Sequence, residues 1–272
     1  MKIPCVFIHL NDVRPLQKTI PQALKFNNQV FVIGDQPVKE YCDSIGVDFF
    51  DHQSLFSDQA KDFESKYVHM SSNSPWVEKF CFIRWYLLNS FVKQQNLDKV
   101  FHADSDVMLY CNLDEIWPNF EQYNLSIANR ACGATSFWTS QGLDNFCKFV
   151  LEIYSDKTSF YYNDFVCFYE NHQRCDMPGG VCDMTLLDRY HQKESWGGPP
   201  TIGEMTHVIN DSVFDQNINS KDGLYDFNHE LGIKNIEFID GIPYCYHENL
   251  NKKVKFNALH FQGKAKQLLY GM

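Results

Sequence analysis

The sequence predicts an α/β fold with a mostly parallel central sheet flanked by helices. Two observations carry that expectation. Over the first hundred residues, short runs of β-branched and aromatic residues alternate with stretches of helical period. This is the pattern of parallel strands joined by crossover helices. The chain is also long and apolar enough to cover such a sheet on both faces, with 272 residues of which 44% are hydrophobic. No composition shift, repeat or low-complexity linker divides it, so residues 1–272 read as a single domain.

The elements follow in order. Ile3 to Leu10 is the first strand, and Pro15 to Phe26 a helix with Leu16, Ile20 and Leu24 on one face. Val30 to Ile33 is a second strand ending at Gly34 and Asp35, Pro37 to Ile45 a short helix, and Val47 to Phe50 a third strand. After a polar loop, Val77 to Val92 has the period of a long helix, its apolar face made by Phe80, Ile83, Leu87, Leu88 and Phe91. Arg84 lies four residues from both Phe80 and Leu88 and so points into that face. A buried arginine needs a partner: the readings are a core ion pair, a snorkelling side chain, or a reach past the core to the carboxylates or a nucleotide at the sheet edge.

Leu125 to Trp138 reads as two strands interrupted by residues 129–133, where Gly133 serves a turn or the close approach of a ligand. Leu143 to Tyr154 is a helix. The loop Met177-Pro178-Gly179-Gly180 precedes a short helix from Val181 to Tyr190, with Asp183 in the first turn, where the helix dipole favours a carboxylate. Trp196 to Pro200 is a turn that suits either a lid over a sugar or a surface loop. Trp138 and Trp196 are candidate sugar-stacking rings. From Val208 onward the chain reads as short strands and loops.

Charge and thiols narrow the class of function. The 24 basic and 34 acidic residues leave a net charge of −10 with no long basic block. That argues against a nucleic-acid groove or an anionic-membrane patch. Ten cysteines are scattered without a CxxC pair, as in a reducing, cytoplasmic compartment. No stretch reaches the roughly 20 apolar residues of a transmembrane segment. The apolar run ending at Leu10 is too short for a signal anchor.

The chemistry concentrates in Lys99 to Leu109, where an apolar run meets Asp104 and Asp106. Strand alternation would send both carboxylates to one side at the strand's carboxyl end, the edge where open α/β sheets bind ligands. Two hard oxygen ligands without an intervening Cys or His suit Mg²⁺ or Mn²⁺ better than zinc. Near the end, His260, Gly263 and Lys266 form H-x-x-G-x-x-K after another apolar run. Histidine offers a nitrogen ligand, glycine permits close backbone approach, and lysine neutralises phosphate.

The pairing of this Asp-x-Asp with the terminal H-x-x-G-x-x-K resembles the metal-dependent glycosyltransferases of the GT-A fold. It is similar in particular to glycosyltransferase family 8, which includes glycogenin. The resemblance implies a nucleotide-binding half, 1–110, and a donor-sugar and acceptor half, 111–272. It implies Mn²⁺ (or Mg²⁺) on Asp104, Asp106 and His260, with Lys266 and Gly263 at the donor diphosphate. His9 and Asn11 would contact the nucleotide, Asp104 the metal-bound donor, and Arg84 the nucleotide or donor sugar. Asp183 would face the sugar or acceptor, as general base if the reaction inverts and as an orienting carboxylate if it retains. The partners implied are a UDP-linked hexose and a glycan or other hydroxyl acceptor. Two rival readings stand beside it. One is a haloacid-dehalogenase-type phosphatase using Asp104 and Asp106, with Asp211 and Asp215 as its later carboxylates. The other is a non-catalytic sugar-nucleotide or glycan-binding module.

Overall fold

In the computed structural model, which describes residues 2–196 and 201–271, the β–α alternation becomes three crossover units. They are β1 (Cys5–Ile8), α1 (Leu16–Leu24), β2 (Val30–Gly34), α2 (Gln36–Ile45) and β3 (Asp48–Asp51), then α3 (Asp58–Lys66), α4 (Pro75–Gln94) and β4 (Lys99–Ala103). Each strand alternates its side chains between two cores. Val6 and Ile8 face a cluster with Phe63, Phe82 and Phe146, while Cys5 and Phe7 face Leu16, Ile20 and Val38. A strand buried on both faces is apolar throughout, which is why these runs show so little polar alternation.

The chain continues through β5 (Val107–Leu109), α5 (Leu113–Ile116), β6 (Leu125–Ala128) and β7 (Cys132–Thr139). It then forms α6 (Ser140–Ser155), α7 (Phe160–Arg174), α8 (Asp183–Glu194), β8 (Ile202–Glu204) and β9 (Ser212–Phe214). The last section holds β10 (Phe227–Asn228), β11 (Ile233–Lys234), β12 (Glu237–Ile239), β13 (Ile242–His247), β14 (Lys252–His260) and α9 (Lys266–Gly271). The main sheet has the order β3-β2-β1-β4-β7-β6-β8, and the second is β12-β13-β14-β5 with β9 beside β14. The main sheet is mostly parallel, but β7 runs antiparallel to both β4 and β6.

Four helices exceed the sequence reading: the short α5 and α9, and the longer α3 and α7. The polar loop before residue 77 contains α3, whose N-cap Ser57 accepts a hydrogen bond from the Ala60 N–H. Its polar surface masked a single inward stripe of Ala60 and Phe63. In α7 the aromatics spread beyond the buried Tyr162 and Phe165 to the exposed Phe160, so the sequence shows no clear-edged stripe. The turn from Trp196 to Pro200, read as a lid or a surface loop, falls mostly on residues 197–200, outside the described residues.

The order of the strands positions the site. From β1 the chain builds outward through β2 and β3, then returns so that β4 pairs with the other side of β1. The carboxyl ends of β1 and β4 therefore flank a switch point, where a crevice forms in open α/β sheets. His9 and Asn11 follow β1, and Asp104 follows β4.

Candidate metal centre

Asp104 and Asp106 reach one site, but not by strand alternation. Strand β4 stops at Ala103 and β5 begins at Val107 in the second sheet. The triplet between them is a turn that carries the chain from one sheet to the other. It is fixed by the Asp104 N–H on the Ala134 carbonyl (2.8 Å) and the Val107 N–H on the Asp104 carbonyl (3.0 Å). One continuous strand through Asp106 would be needed for the expected alternation, and the change of sheet interrupts it. β14 returns antiparallel to β5 and sets His260 opposite Val107. Asp104, Asp106 and His260 then offer ligand atoms within 4.8 Å of one another.

Each carboxylate has its own set of partners. Asp104 Oδ1 accepts from Arg84 (2.5 Å) and from His102 Nε2 (3.0 Å). The same guanidinium donates to Asp183 Oδ2 (2.5 Å), which also accepts from Trp85 Nε1 (3.1 Å). The arginine on the apolar face of α4 thus joins two carboxylates 79 positions apart, and its guanidinium lies 4.8 Å from the Trp85 ring centroid. Burial pushes the Asp104 carboxyl pKa up, but Arg84 and His102 more than offset this and hold it well below the usual range. Burial lowers the His102 pKa, so the ring is the neutral donor of this bond.

Asp106 is paired with Lys266 Nζ at 3.1 Å and with His260 Nε2 at 3.5 Å. His260 Nδ1 donates to the Gln216 carbonyl at 2.5 Å. A carbonyl only accepts, so Nδ1 keeps its proton and Nε2 faces Asp106. This is the second-sphere arrangement that orients metal-binding histidines. Burial pushes the His260 pKa down, yet Asp106 and Cys132 outweigh it and the value is raised well above the ordinary one. Two carboxylate oxygens and an aimed imidazole nitrogen fit Mn²⁺ or Mg²⁺.

The remaining expected residues surround this centre. His9 Nε2 donates to the Asp12 carbonyl, and burial lowers its pKa, with Lys266 and Asp106 close enough to act on the ring. Asn11 has φ +68°, and its N–H donates to Asp35 Oδ2 at 2.9 Å. Gly263 has φ +60° and opens the 3₁₀ turn Gly263–Ala265 that delivers Lys266. Neither Asn11 nor Gly263 bonds to the three candidate ligands among the described residues. Asp183 is buried in the first turn of α8, and no hydrogen bond engages its Oδ1 among the described residues.

Several sequence expectations are corrected. Trp138 is wholly buried, packed on Trp85 and Phe146, and offers no face to a sugar. Gly133 makes room for Trp85, since a Cβ there would lie 2.7 Å from the indole. Asp215 is buried against Lys234 (2.9 Å), and Asp211 pairs with Lys252, so neither supplies a phosphatase's later carboxylate. Sequence reasoning gave no role to His102, Trp85 or Gln216. His102 lies on β4 two residues before Asp104, which follows the strand, and that spacing could have marked it. Gln216 lies 44 positions from His260, and nothing local announces it.

The described fold is shared with mouse xyloside xylosyltransferase 1 in its apo form. The TM-score is 0.50 at 9% identity, covering 78% of this chain and 88% of that one. The glycosyltransferase GlyE of Streptococcus pneumoniae TIGR4 aligns with a TM-score of 0.46 at 13% identity, over 82% of this chain and 48% of its own. The chain therefore spans less than half of GlyE. The apo form of GlyE gives a TM-score of 0.39 at 15% identity, over 71% of this chain and 44% of its own. No protein-family model matches the sequence, and no curated protein matches it. What the xylosyltransferase likeness shows is the fold, and the fold is that of the GT-A glycosyltransferases.

Proposed function

We propose that this chain transfers a hexose from a nucleotide diphosphate sugar, a UDP-hexose, to a hydroxyl acceptor, with Mn²⁺ or Mg²⁺ on the diphosphate. One observation carries the reading. Asp104 and Asp106 in one turn and His260, more than 150 residues later, converge within 4.8 Å at the carboxyl edge of the sheet, beside Lys266. The Asp-x-Asp and H-x-x-G-x-x-K pairing supports kinship with glycosyltransferase family 8. None of the described helices is long and apolar enough to cross a membrane. All ten cysteines are free thiols, which supports a cytoplasmic enzyme.

Bound at Asp104, Asp106 and His260, the metal would supply Lewis-acid stabilisation of the departing diphosphate. The chain's own groups do the rest. Lys266 is about four-tenths exposed and can swing its ammonium from Asp106 to a phosphate oxygen. His9 and Asn11 at the exit of β1 hold the nucleotide in residues 1–110, and Gly263 lets the phosphates approach the backbone. Arg84 fixes Asp104 and Asp183 in one frame. Asp183, anchored through Oδ2, keeps Oδ1 for the donor sugar or the acceptor hydroxyl. A preorganised site of this kind needs little reorganisation as charge develops.

The test is Mn²⁺-dependent release of nucleoside diphosphate from a panel of sugar nucleotides without acceptor, with Asp106→Ala as control. The expected result is slow hydrolysis of one donor that disappears in the variant. If no donor is hydrolysed and no Mn²⁺-dependent nucleotide binding is found, the reading falls. Trapping a phosphoaspartate with a metal fluoride would then test the phosphatase alternative.

A further inference from the structure

Strands β4, β6 and β8 point the same way, and β9 runs parallel to β14. Asn129, Glu204 and Asp215, which end or follow these strands, therefore gather at the edge that carries the candidate metal centre. They lie on the side away from β1, β2 and β3. Here the structure has a cavity of about 310 Å³, in which Asn129, Arg130, Glu204, Gln216, Asp222 and Tyr225 stand among apolar residues such as Phe214 and Leu224. That is at the small end of ligand pockets, roughly 300–1,000 Å³.

The walls are built. Glu204 accepts from the N–H groups of Asn129 (2.6 Å) and Arg130 (2.9 Å) and from the Thr206 hydroxyl (2.6 Å). This holds Asn129 and Arg130 at φ +47° and +62°, an uncommon conformation for arginine, and the Arg130 side chain remains more than half exposed. Asn129 Nδ2 donates to Gln216 Oε1 at 2.6 Å. The floor is the Lys234–Asp215 pair, both nearly inaccessible, with Asp215 Oδ2 accepting from the His260 N–H at 3.2 Å. Gln216 and Asp215 therefore belong at once to this cavity and to the support of His260. Tyr225, also in the lining, has a buried hydroxyl with no protein partner.

The cavity does not end there. A second, more open one of about 630 Å³ shares Thr206, His207 and Leu224 with it and leads on past Asn210, His247 and Lys252. We propose that this two-chambered groove is the acceptor subsite and that it takes a glycan of more than one sugar, with Arg130 at the inner ring and His207 and Leu224 where the next ring begins. This rests on the sugar-transfer reading above. Donors and acceptors of both signs, interleaved with apolar surface, suit a neutral polyhydroxyl chain. A lipid-linked acceptor would need an apolar wall, and the apolar groove of Ile218, Leu231, Ile236, Phe238 and Leu268 is a separate cavity.

The experiment measures transfer from the donor identified by hydrolysis to methyl glycosides of glucose, galactose, xylose and mannose, and to trisaccharides of the same sugars. A serine-rich peptide and a lipid-linked monosaccharide complete the panel. Expected is a kcat/KM for one trisaccharide at least about tenfold above that of its methyl glycoside. Arg130→Ala raises acceptor KM about tenfold, and His207→Ala depresses kcat/KM for the trisaccharide more than for the methyl glycoside. Equal efficiency at both lengths, an equal effect of His207→Ala on both, or donor hydrolysis without transfer to any glycan overturns the acceptor assignment and leaves the donor reading standing. Absence of donor hydrolysis and of nucleotide binding overturns both.

Discussion

Asp104 and Asp106 are separated by one residue, yet they are held by opposite means. Asp104 is clamped by Arg84 and His102, whose side chains are 14% and 0% exposed, and shares Arg84 with Asp183. Asp106 meets the 42%-exposed Lys266 and the imidazole of His260. The first is a framework carboxylate whose charge is balanced inside the protein. The second faces partners that can move toward a ligand or give up a proton. Rigidity on one side and exchangeable contacts on the other are what a site needs if it is to bind and release a charged donor while keeping its geometry.

The largest break in this contrast should come from Arg84→Met. It leaves Asp104 and Asp183 without their common partner, and stranding buried charge typically costs about 3–5 kcal/mol. Urea unfolding measures this, and a loss below about 1 kcal/mol would show that the clamp is not a framework element. Next comes His102→Phe, which keeps the ring packed against Trp85 but removes the hydrogen bond to Asp104. Mn²⁺ affinity by calorimetry should fall about 10–100-fold, with little change in the unfolding midpoint. An unchanged affinity would confine His102 to packing. On the opposite side, Lys266→Ala should leave stability nearly intact and slow donor turnover about tenfold. A stability loss larger than the activity loss would make Lys266 structural.

The two sides also respond oppositely to pH. With its pKa held down, Asp104 contributes stability that is complete above about pH 4 and is lost as the pH falls below that. With its pKa raised, His260 contributes through Asp106 fully below about pH 6.5, and this is lost as the pH rises through the higher folded value. Metal binding requires the neutral imidazole, so Mn²⁺ affinity should climb with pH by up to about tenfold per unit until the ring is deprotonated. A flat affinity between about pH 6 and about pH 8 would remove His260 from the ligand set.

Much of this was legible in the residues. The crossover units through β4 read correctly because strands buried on both faces are apolar throughout and α1 and α2 carry clear stripes. Arg84 announced itself as a charge in an apolar face. The helices α3 and α7 did not, because α3 is polar outside a narrow stripe and the aromatics of α7 spread beyond its buried face. Trp138 misled because an aromatic near a loop in sequence can lie at the centre of a core.

Sequence by itself determined the chemistry present at the site. Two carboxylates end an apolar strand, and a histidine and a lysine follow another, because residue type and local periodicity are properties of adjacent positions. Only the tertiary structure decided who meets whom. It turned the chain between two sheets at Ser105, joined Asp104 to Asp183 through Arg84, and fixed the His260 ring with the Gln216 carbonyl. These contacts span from 20 to 99 positions, and their energies depend on distance and burial in the folded chain, which no local pattern encodes.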